Sequence, residues 1–408
     1  GSIPISINMN ITFIGNWSIN EGLTDATVIP HLKILSGMPI VKEVIFCTIE
    51  RGNDYIIESK LRIPKITHVP INSTSYFNSM VGLTLDFISF RKQILNIAIK
   101  HQSELIICRG SPAGSIGYFI CKKSGIPFFV ESFEPHAEYM YESGVWSKYN
   151  LKYIMEKYWE QKQKKYAKGL MPVANNYKQK LVMEGVDASK LNVIPCCVEL
   201  EEFKYKEEQR LAVRKKLNIE DEVTGIYVGK FGGIYYSDEA LESFKAAFEY
   251  FKNNFKMIIL TPDNKSQIRN RLIEIGLDKD SFIVDSIPHS EVPSYLSAAD
   301  FAFSLYRPSR SKRFLSPIKN GEYWANGLPI IMTKGIGDDS QIIDSEGGGV
   351  TFDLEDNNLI KALQKIEVII QSGSRIEVSK GIRNVALHHR NFDIAREVYN
   401  KVYSTLSS

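Results

Sequence analysis

Three residues at fixed spacing near position 320 have the chemistry to hold an anion and a diol side by side. They are Ser316, Lys319 and Glu322, within Ser316-Pro317-Ile318-Lys319-Asn320-Gly321-Glu322-Tyr323-Trp324-Ala325-Asn326-Gly327-Leu328-Pro329. Ser316 is a preferred N-cap and Pro317 suits the first helical position, where a missing N–H costs nothing. Gly327 and Pro329 mark a left-handed stop, so a short helix is expected between them. Residues 328–333 then read as a buried strand. The start of such a helix leaves backbone amides free for an anion, and its dipole favours negative charge. Lys319 in the first turn opposes that dipole unless an anion is bound there. Glu322 shares a face with Lys319 and lies roughly 6 Å along the axis from the free amides, at ~1.5 Å per residue. Phosphates at Ser316, Pro317 and Ile318 with a ribose diol at Glu322 fit that separation. A surface helix carrying a Lys319–Glu322 ion pair fits the same spacing.

Two further stretches carry suitable residue types. Gly229-Lys230-Phe231-Gly232-Gly233 follows an apolar run at 224–228, and glycines after a strand let backbone approach an anion closely. Glu131-Ser132-Phe133-Glu134-Pro135-His136-Ala137-Glu138-Tyr139 follows another such run and concentrates a histidine among carboxylates. Glu134 and Glu138 could position a hydroxyl of an acceptor, or simply be solvated.

The elements that must position these groups alternate along the chain. Strands are expected at 10–15, 44–48, 104–108, 127–131, 171–175 and 191–195, and helices at 27–35, 83–100, 114–124 and 146–168. In the second half, strands at 224–228, 256–261, 282–285 and 299–304 alternate with helices at 208–217, 238–253 and 265–276. Regular alternation implies α/β architecture with parallel, doubly wound sheets, whose ligands lie beyond the carboxyl ends of the strands. The charged stretch 201–221 marks a junction between an N-terminal domain, 1–200, and a C-terminal domain, 201–390.

Glu322-Tyr323-Trp324-Ala325-Asn326-Gly327-Leu328-Pro329-Ile330 resembles the Glu-x-x-Ala-x-Gly-x-Pro-Val/Ile segment of retaining GT-B glycosyltransferases of the large family numbered four. Further matches are the Ser-Pro-x-Lys before it, the run from Ile194 to Phe203, the loop 287–296 and Ala299-Asp300. The resemblance implies a GT-B fold: two Rossmann-like domains facing across a cleft, with a terminal helix, 391–408, packing back on the first. It implies transfer of a sugar, with retention, from a nucleotide-sugar donor to a glycan or lipid-linked acceptor in polysaccharide biosynthesis. It gives Glu322 the ribose, Lys230 and Lys319 the pyrophosphate, and His136 the donor sugar. Gly22, Gly229, Gly232 and Val292 fall among the donor-binding positions. Three departures stand out. Cys196-Cys197 replace Asn-Gly, and Glu199 replaces Asp. The family's second loop lysine is missing at Tyr235-Tyr236-Ser237, leaving Lys319, Arg307, Arg310, Lys312 or Arg313 to supply that charge. Phe314 stands where a second acidic residue is frequent, so either the donor sugar presents a deoxy carbon or acetamido methyl there, or the ring turns into the core.

Composition suits a soluble enzyme. A net charge of +3 over 408 residues gives no basis for nucleic-acid binding. Five scattered cysteines, two of them adjacent, suit neither zinc nor easy disulfides, and point to a reducing, cytoplasmic setting. Gly1-Ser2 has the look of a cloning scar, and no apolar run is long enough to span a membrane. Residues 146–168 interleave lysines with aromatics, which suits either peripheral contact with the inner face of an anionic membrane or a solvated face over an aromatic stripe. No cofactor and no metal is expected; Asp278-Lys279-Asp280 reads as a solvated loop. Two other functions share the pattern: a sugar-nucleotide epimerase, which needs no acceptor, and a non-catalytic GT-B module that binds a glycan.

Overall fold

The structure, a computed structural model, describes residues 9–51, 61–73, 80–354 and 358–403. Gly1-Ser2 and the last residues of the expected terminal helix lie outside these. The chain forms two compact units. One comprises 1–141, 146–195 and 392–408; the other comprises 142–145 and 196–391.

The first unit is built on a six-stranded sheet of β1 (Met9–Ile14), β2 (Val41–Glu50), β3 (Ile66–Asn72), β4 (Leu105–Arg109), β5 (Phe128–Phe133) and β6 (Gly169–Pro172). Every pairing is parallel, in the order β3-β2-β1-β4-β5-β6. Near-continuous apolar runs such as Leu105-Ile106-Ile107-Cys108 form the central strands because helices cover both faces. β3 escapes the sequence reading because Pro70 interrupts it; as an edge strand it tolerates the missing N–H. The expected strand at 171–175 begins earlier, at Gly169, where a Cβ would lie 2.5 Å from the Phe129 ring, and gives way to the helix Asn175–Met183. Residues 191–195 form no ladder: Leu191 makes a single bridge to Leu170, and Ile194 donates to Pro172 at 3.0 Å. The helix expected at 27–35 is two, Gly22–Thr27 and Ile29–Gly37, separated at Val28 with Pro30 opening the second. The helix expected from 146 starts at Leu151, because the Asn150 side chain accepts from the Lys152 amide at 2.9 Å and caps it.

The terminal helix Phe392–Tyr403 belongs to this unit and buries Tyr399 and Tyr403. Tyr403 donates to the fully buried Glu131 at 3.0 Å, Arg109 pairs with the same carboxylate at 3.4 Å, and Tyr399 meets His31 at 2.7 Å. Burial raises the pKa of Glu131, and Arg109 and the two tyrosines oppose the rise.

The second unit repeats the plan. β7 (Val223–Val228), β8 (Phe255–Leu260), β9 (Phe282–Asp285), β10 (Phe301–Ser304), β11 (Ile330–Thr333) and β12 (Gly349–Phe352) lie in the order β12-β11-β10-β7-β8-β9. Counted within the unit this is again 3-2-1-4-5-6, all parallel. Its core packs Phe244, Phe255, Phe301 and Phe303 against Leu363 and Ile366. The strand order reverses between β7 and β10, and ligands of doubly wound sheets bind beyond the carboxyl ends at such a reversal.

Candidate active site

The loops after β7 and β10 and the helix Ile318–Asn326 meet at that reversal in the second unit. Val228 donates to the Tyr323 hydroxyl at 3.1 Å, which ties the helix to the end of β7. Gly229 follows at φ +145°, and a Cβ there would lie 2.3 Å from the Lys319 ammonium. Only glycine lets that ammonium lie against the loop. Three tyrosine rings surround it, with centroids 4.0 Å (Tyr235), 5.5 Å (Tyr227) and 5.6 Å (Tyr306) from Nζ. Negative ring faces attract a cation held over them, so the three rings hold the Lys319 ammonium against the loop. Gly232 closes the turn, accepting from the Tyr235 amide at 3.1 Å, and Asp263 accepts from Phe231 at 2.7 Å. Lys230 projects from this loop, exposed; among the described residues no carboxylate pairs with it.

The helix begins at Ile318, with Pro317 at the cap position and no side-chain cap. Ser316 is therefore not the N-cap that its type suggests. Its hydroxyl accepts from the Cys196 amide at 3.0 Å and from the Arg390 guanidinium, which also pairs with Asp339. Asp339 accepts from Asn320 at 2.8 Å, and Asn320 accepts from Ser304 at 2.6 Å. This buried network holds the helix start from several elements. Among the described residues no acceptor reaches the Ile318 and Lys319 amides, so they face outward as donors. Gly327 ends the helix in the left-handed conformation, as its type predicts.

One turn on, Glu322 is 5% exposed, and its Oε1 lies 3.0 Å from His289 Nε2. His289 begins the turn before Val292, which is buried and opens the helix Val292–Ala298. The only sign of His289 in the sequence is its place in the loop 287–296; the pairing with Glu322, 33 residues later, is visible only in the fold. Two of the other cations have partners of their own. Arg307 pairs with Glu239 at 3.7 Å, and Lys312 is buried, donating to Ser143 at 3.2 Å. Burial lowers the Lys312 pKa against the pull of Glu142. Arg310 and Arg313 flank Lys312 in the turn Ser311–Phe314, and Phe314 is half-buried. Lys319 is the cation whose ammonium lies beside Gly229, while Arg307 reaches the Tyr236 ring further along the same stretch at 6.0 Å.

In the first unit, β5 bulges between Glu131 and Phe133, with Ser132 at φ +50°. The bulge turns the chain so that His136 starts the helix His136–Glu142. Burial lowers the His136 pKa, so the ring is neutral at pH 7, and its edge meets Trp146 at 5.7 Å. Burial pushes the Glu134 carboxyl up to about 7 against the pull of Arg109. Glu138 pairs with Lys157 and accepts from Tyr153 at 3.3 Å. Gly22 does not lie in a tight loop: it is exposed at the start of a helix, at negative φ, with nothing within 4 Å of a Cβ.

No protein-family model matches the chain, and no curated protein matches it in sequence. Solved structures do match. A sucrose-phosphate synthase from Thermosynechococcus elongatus aligns with TM-score 0.73 over 98% of this chain and 99% of its own, at 16% identity. HepE of Anabaena, in complex with UDP, aligns with TM-score 0.70 over 97% and 100%, at 11% identity. The chain has the GT-B fold. A GT-B likeness also extends to a UDP-N-acetylglucosamine 2-epimerase from Listeria monocytogenes, with TM-score 0.62 over 98% of each chain at 11% identity. At these identities the likeness is one of fold.

Proposed function

We propose that this GT-B protein is a retaining glycosyltransferase that moves a sugar from a nucleotide-sugar donor to a glycan or lipid-linked acceptor. One observation carries the reading: a glycine loop, a caged lysine, open helix amides and a buried carboxylate one turn further along all meet at the sheet reversal of the second unit. The donor pyrophosphate takes Gly229, Gly232, Lys230, Lys319 and the amides beyond Ser316 and Pro317; the ribose takes Glu322. Val292 lies at the nucleobase, and His136 takes the role of its family counterpart, a hydrogen bond to the transferred sugar. The solution of HepE with UDP-glucose supports this choice of ligand class.

In the reaction, the bond between the anomeric carbon and the phosphate oxygen breaks as the acceptor oxygen bonds that carbon on the same face. The acceptor proton passes to the departing phosphate. Negative charge grows on the pyrophosphate, and donors aimed at it in advance lower the barrier. Those donors are side chains and amides, so turnover is expected to survive EDTA; abolition by EDTA with rescue by manganese would overturn the mechanism. The decisive experiment is calorimetric titration with UDP, GDP and ADP, followed by donor-consumption assays with and without candidate acceptors. Binding of none would refute the reading, and conversion of donor to an isomeric nucleotide sugar without acceptor would replace it with the epimerase reading, which the Listeria likeness favours as second.

A cytoplasmic enzyme resting on the inner membrane face completes the proposal. No helix among the described residues is long and apolar enough to cross a membrane. Leu151, Ile154 and Tyr158 form an exposed stripe on the helix Leu151–Tyr166, and Lys148, Lys152, Lys162 and Lys165 lie in and beside it. Apolar residues among lysines suit an anionic bilayer surface. Co-sedimentation with vesicles containing phosphatidylglycerol, but not with neutral ones, is the expected result.

A further inference from the structure

The first unit holds a cavity of about 340 Å³. It opens at the carboxyl ends of β1, β2, β4 and β5, through Asn16, Ile49, Pro112 and His136, where the strand order of that sheet reverses. The volume is at the small end of the roughly 300–1,000 Å³ typical of ligand pockets. It has room for one ring and its substituents.

The wall has two characters. Phe87, Phe90 and Trp146 give it aromatic surface. Glu156 and Trp159, one turn apart on the helix Leu151–Tyr166, give it polarity of an unusual kind. Glu156 Oε1 and Trp159 Nε1 are both buried, and neither has a hydrogen-bond partner among the described residues. Burial pushes the Glu156 carboxyl up to about 7, so near neutral pH it accepts and, when protonated, also donates, whereas Trp159 can only donate. Buried polar groups are ordinarily paired, and leaving two unpaired in one cavity costs free energy that a ligand can recover. A hydroxyl both donates and accepts, so it completes the pair; a ring bearing several hydroxyls does so while laying C–H bonds on the aromatic wall. Two carboxylates, Glu156 and Asp86, and two cations, Arg51 and Lys152, line the space, so the cavity calls for no net charge on its ligand. Asp86 is already engaged by the Ser73 hydroxyl, which leaves Glu156 as the open acceptor.

We propose that this cavity binds one neutral pyranose ring, with hydroxyl groups satisfying Glu156 and Trp159. That the ring is the terminal sugar of the acceptor rests on the transferase reading; that the cavity holds a pyranose does not.

The test uses the full chain and the methyl pyranosides of glucose, galactose, mannose and N-acetylglucosamine, with affinity read by saturation-transfer NMR. At least one should bind saturably below roughly 100 mM, since a lone fragment binds weakly. Trp159→Phe keeps the ring and removes the donor; Glu156→Met keeps the bulk and removes the acceptor. Each should weaken that glycoside about ten-fold while UDP affinity stays within two-fold of the parent. Glu156→Gln retains an acceptor oxygen and should bind within three-fold of the parent, a check if Glu156→Met folds poorly. Absence of saturable binding by all four glycosides, or unchanged affinity in both Trp159→Phe and Glu156→Met, would overturn the inference and leave nucleotide binding untouched. Loss of nucleotide binding beside intact glycoside binding would instead sink the transferase reading alone.

Discussion

Replacing Glu322 by alanine is the sharpest test of the nucleotide site. The carboxylate is 5% exposed, with Oε1 held at 3.0 Å by His289. Its second oxygen is the acceptor left for a ribose hydroxyl. A hydrogen bond to a charged group contributes roughly 1.5–3 kcal/mol, and ~1.4 kcal/mol is ten-fold, so Glu322→Ala should raise the Kd of the preferred nucleoside diphosphate roughly 12- to 140-fold. His289 is more than half exposed, and water replaces its lost partner, so little of the effect should come from an unpaired histidine. The assay is a thermodynamic cycle by calorimetry: parent and variant, each with the nucleotide and its 2′,3′-dideoxy analogue. The parent should lose affinity on removal of the hydroxyls, and the variant should lose almost none further. A variant that binds like the parent, or still discriminates against the dideoxy analogue as strongly, would remove Glu322 from the ribose.

Other expectations concern charge and protonation. Lys319→Ala should lower kcat more than it weakens nucleoside binding, because the phosphates gain charge in the transition state; Tyr235→Leu, which removes the nearest ring of the cage, should reproduce part of that loss, and unchanged kcat in both would place the phosphate contact elsewhere. His136→Ala should cut transfer while leaving nucleotide affinity within a few-fold; unaltered transfer would return the ring to a packing role against Trp146. Burial pushes Glu160 from 4.5 up to about 7, against the hydrogen bond from the Ala137 amide and with help from Glu156. A raised carboxyl stabilises the fold below about pH 4.5, and that contribution fades as pH rises through about 7. The rise corresponds to at most roughly 3 kcal/mol. Glu160→Gln keeps an acceptor for Ala137, so urea unfolding should show parent and variant alike near pH 5 and the variant more stable near pH 8; parallel pH profiles would refute the assignment.

The fold was legible because local pattern and tertiary demand agree. Apolar runs such as 105–108 and 257–260 sit in fully covered parallel strands, where no alternation is needed. β3 was not legible, since an edge strand with Pro70 lacks the run that a central strand shows. The helix around Glu322 was read from its Gly327 stop, but Ser316 was misread as a cap, because the arginine that claims its hydroxyl lies 74 residues later. The three tyrosines around Lys319 are likewise separated in sequence and converge only through the strand order. Gly22 is a different case: glycine marks many loop ends, and this one, exposed at a helix start with open space around it, shows no conformational demand of its own.

The buried Glu131 has its tyrosine partner 272 residues later in the chain. At roughly 5–20 residues per second of synthesis, Tyr403 emerges from the ribosome some tens of seconds after Glu131. Over that interval the nascent first unit holds a carboxylate and the Phe129 ring uncovered where Tyr403 will pack, while the second unit, nearly all of it encoded between, can fold to completion. The half synthesised first is thus the half finished last, which makes its open face the natural point of attention for chaperones and proteases.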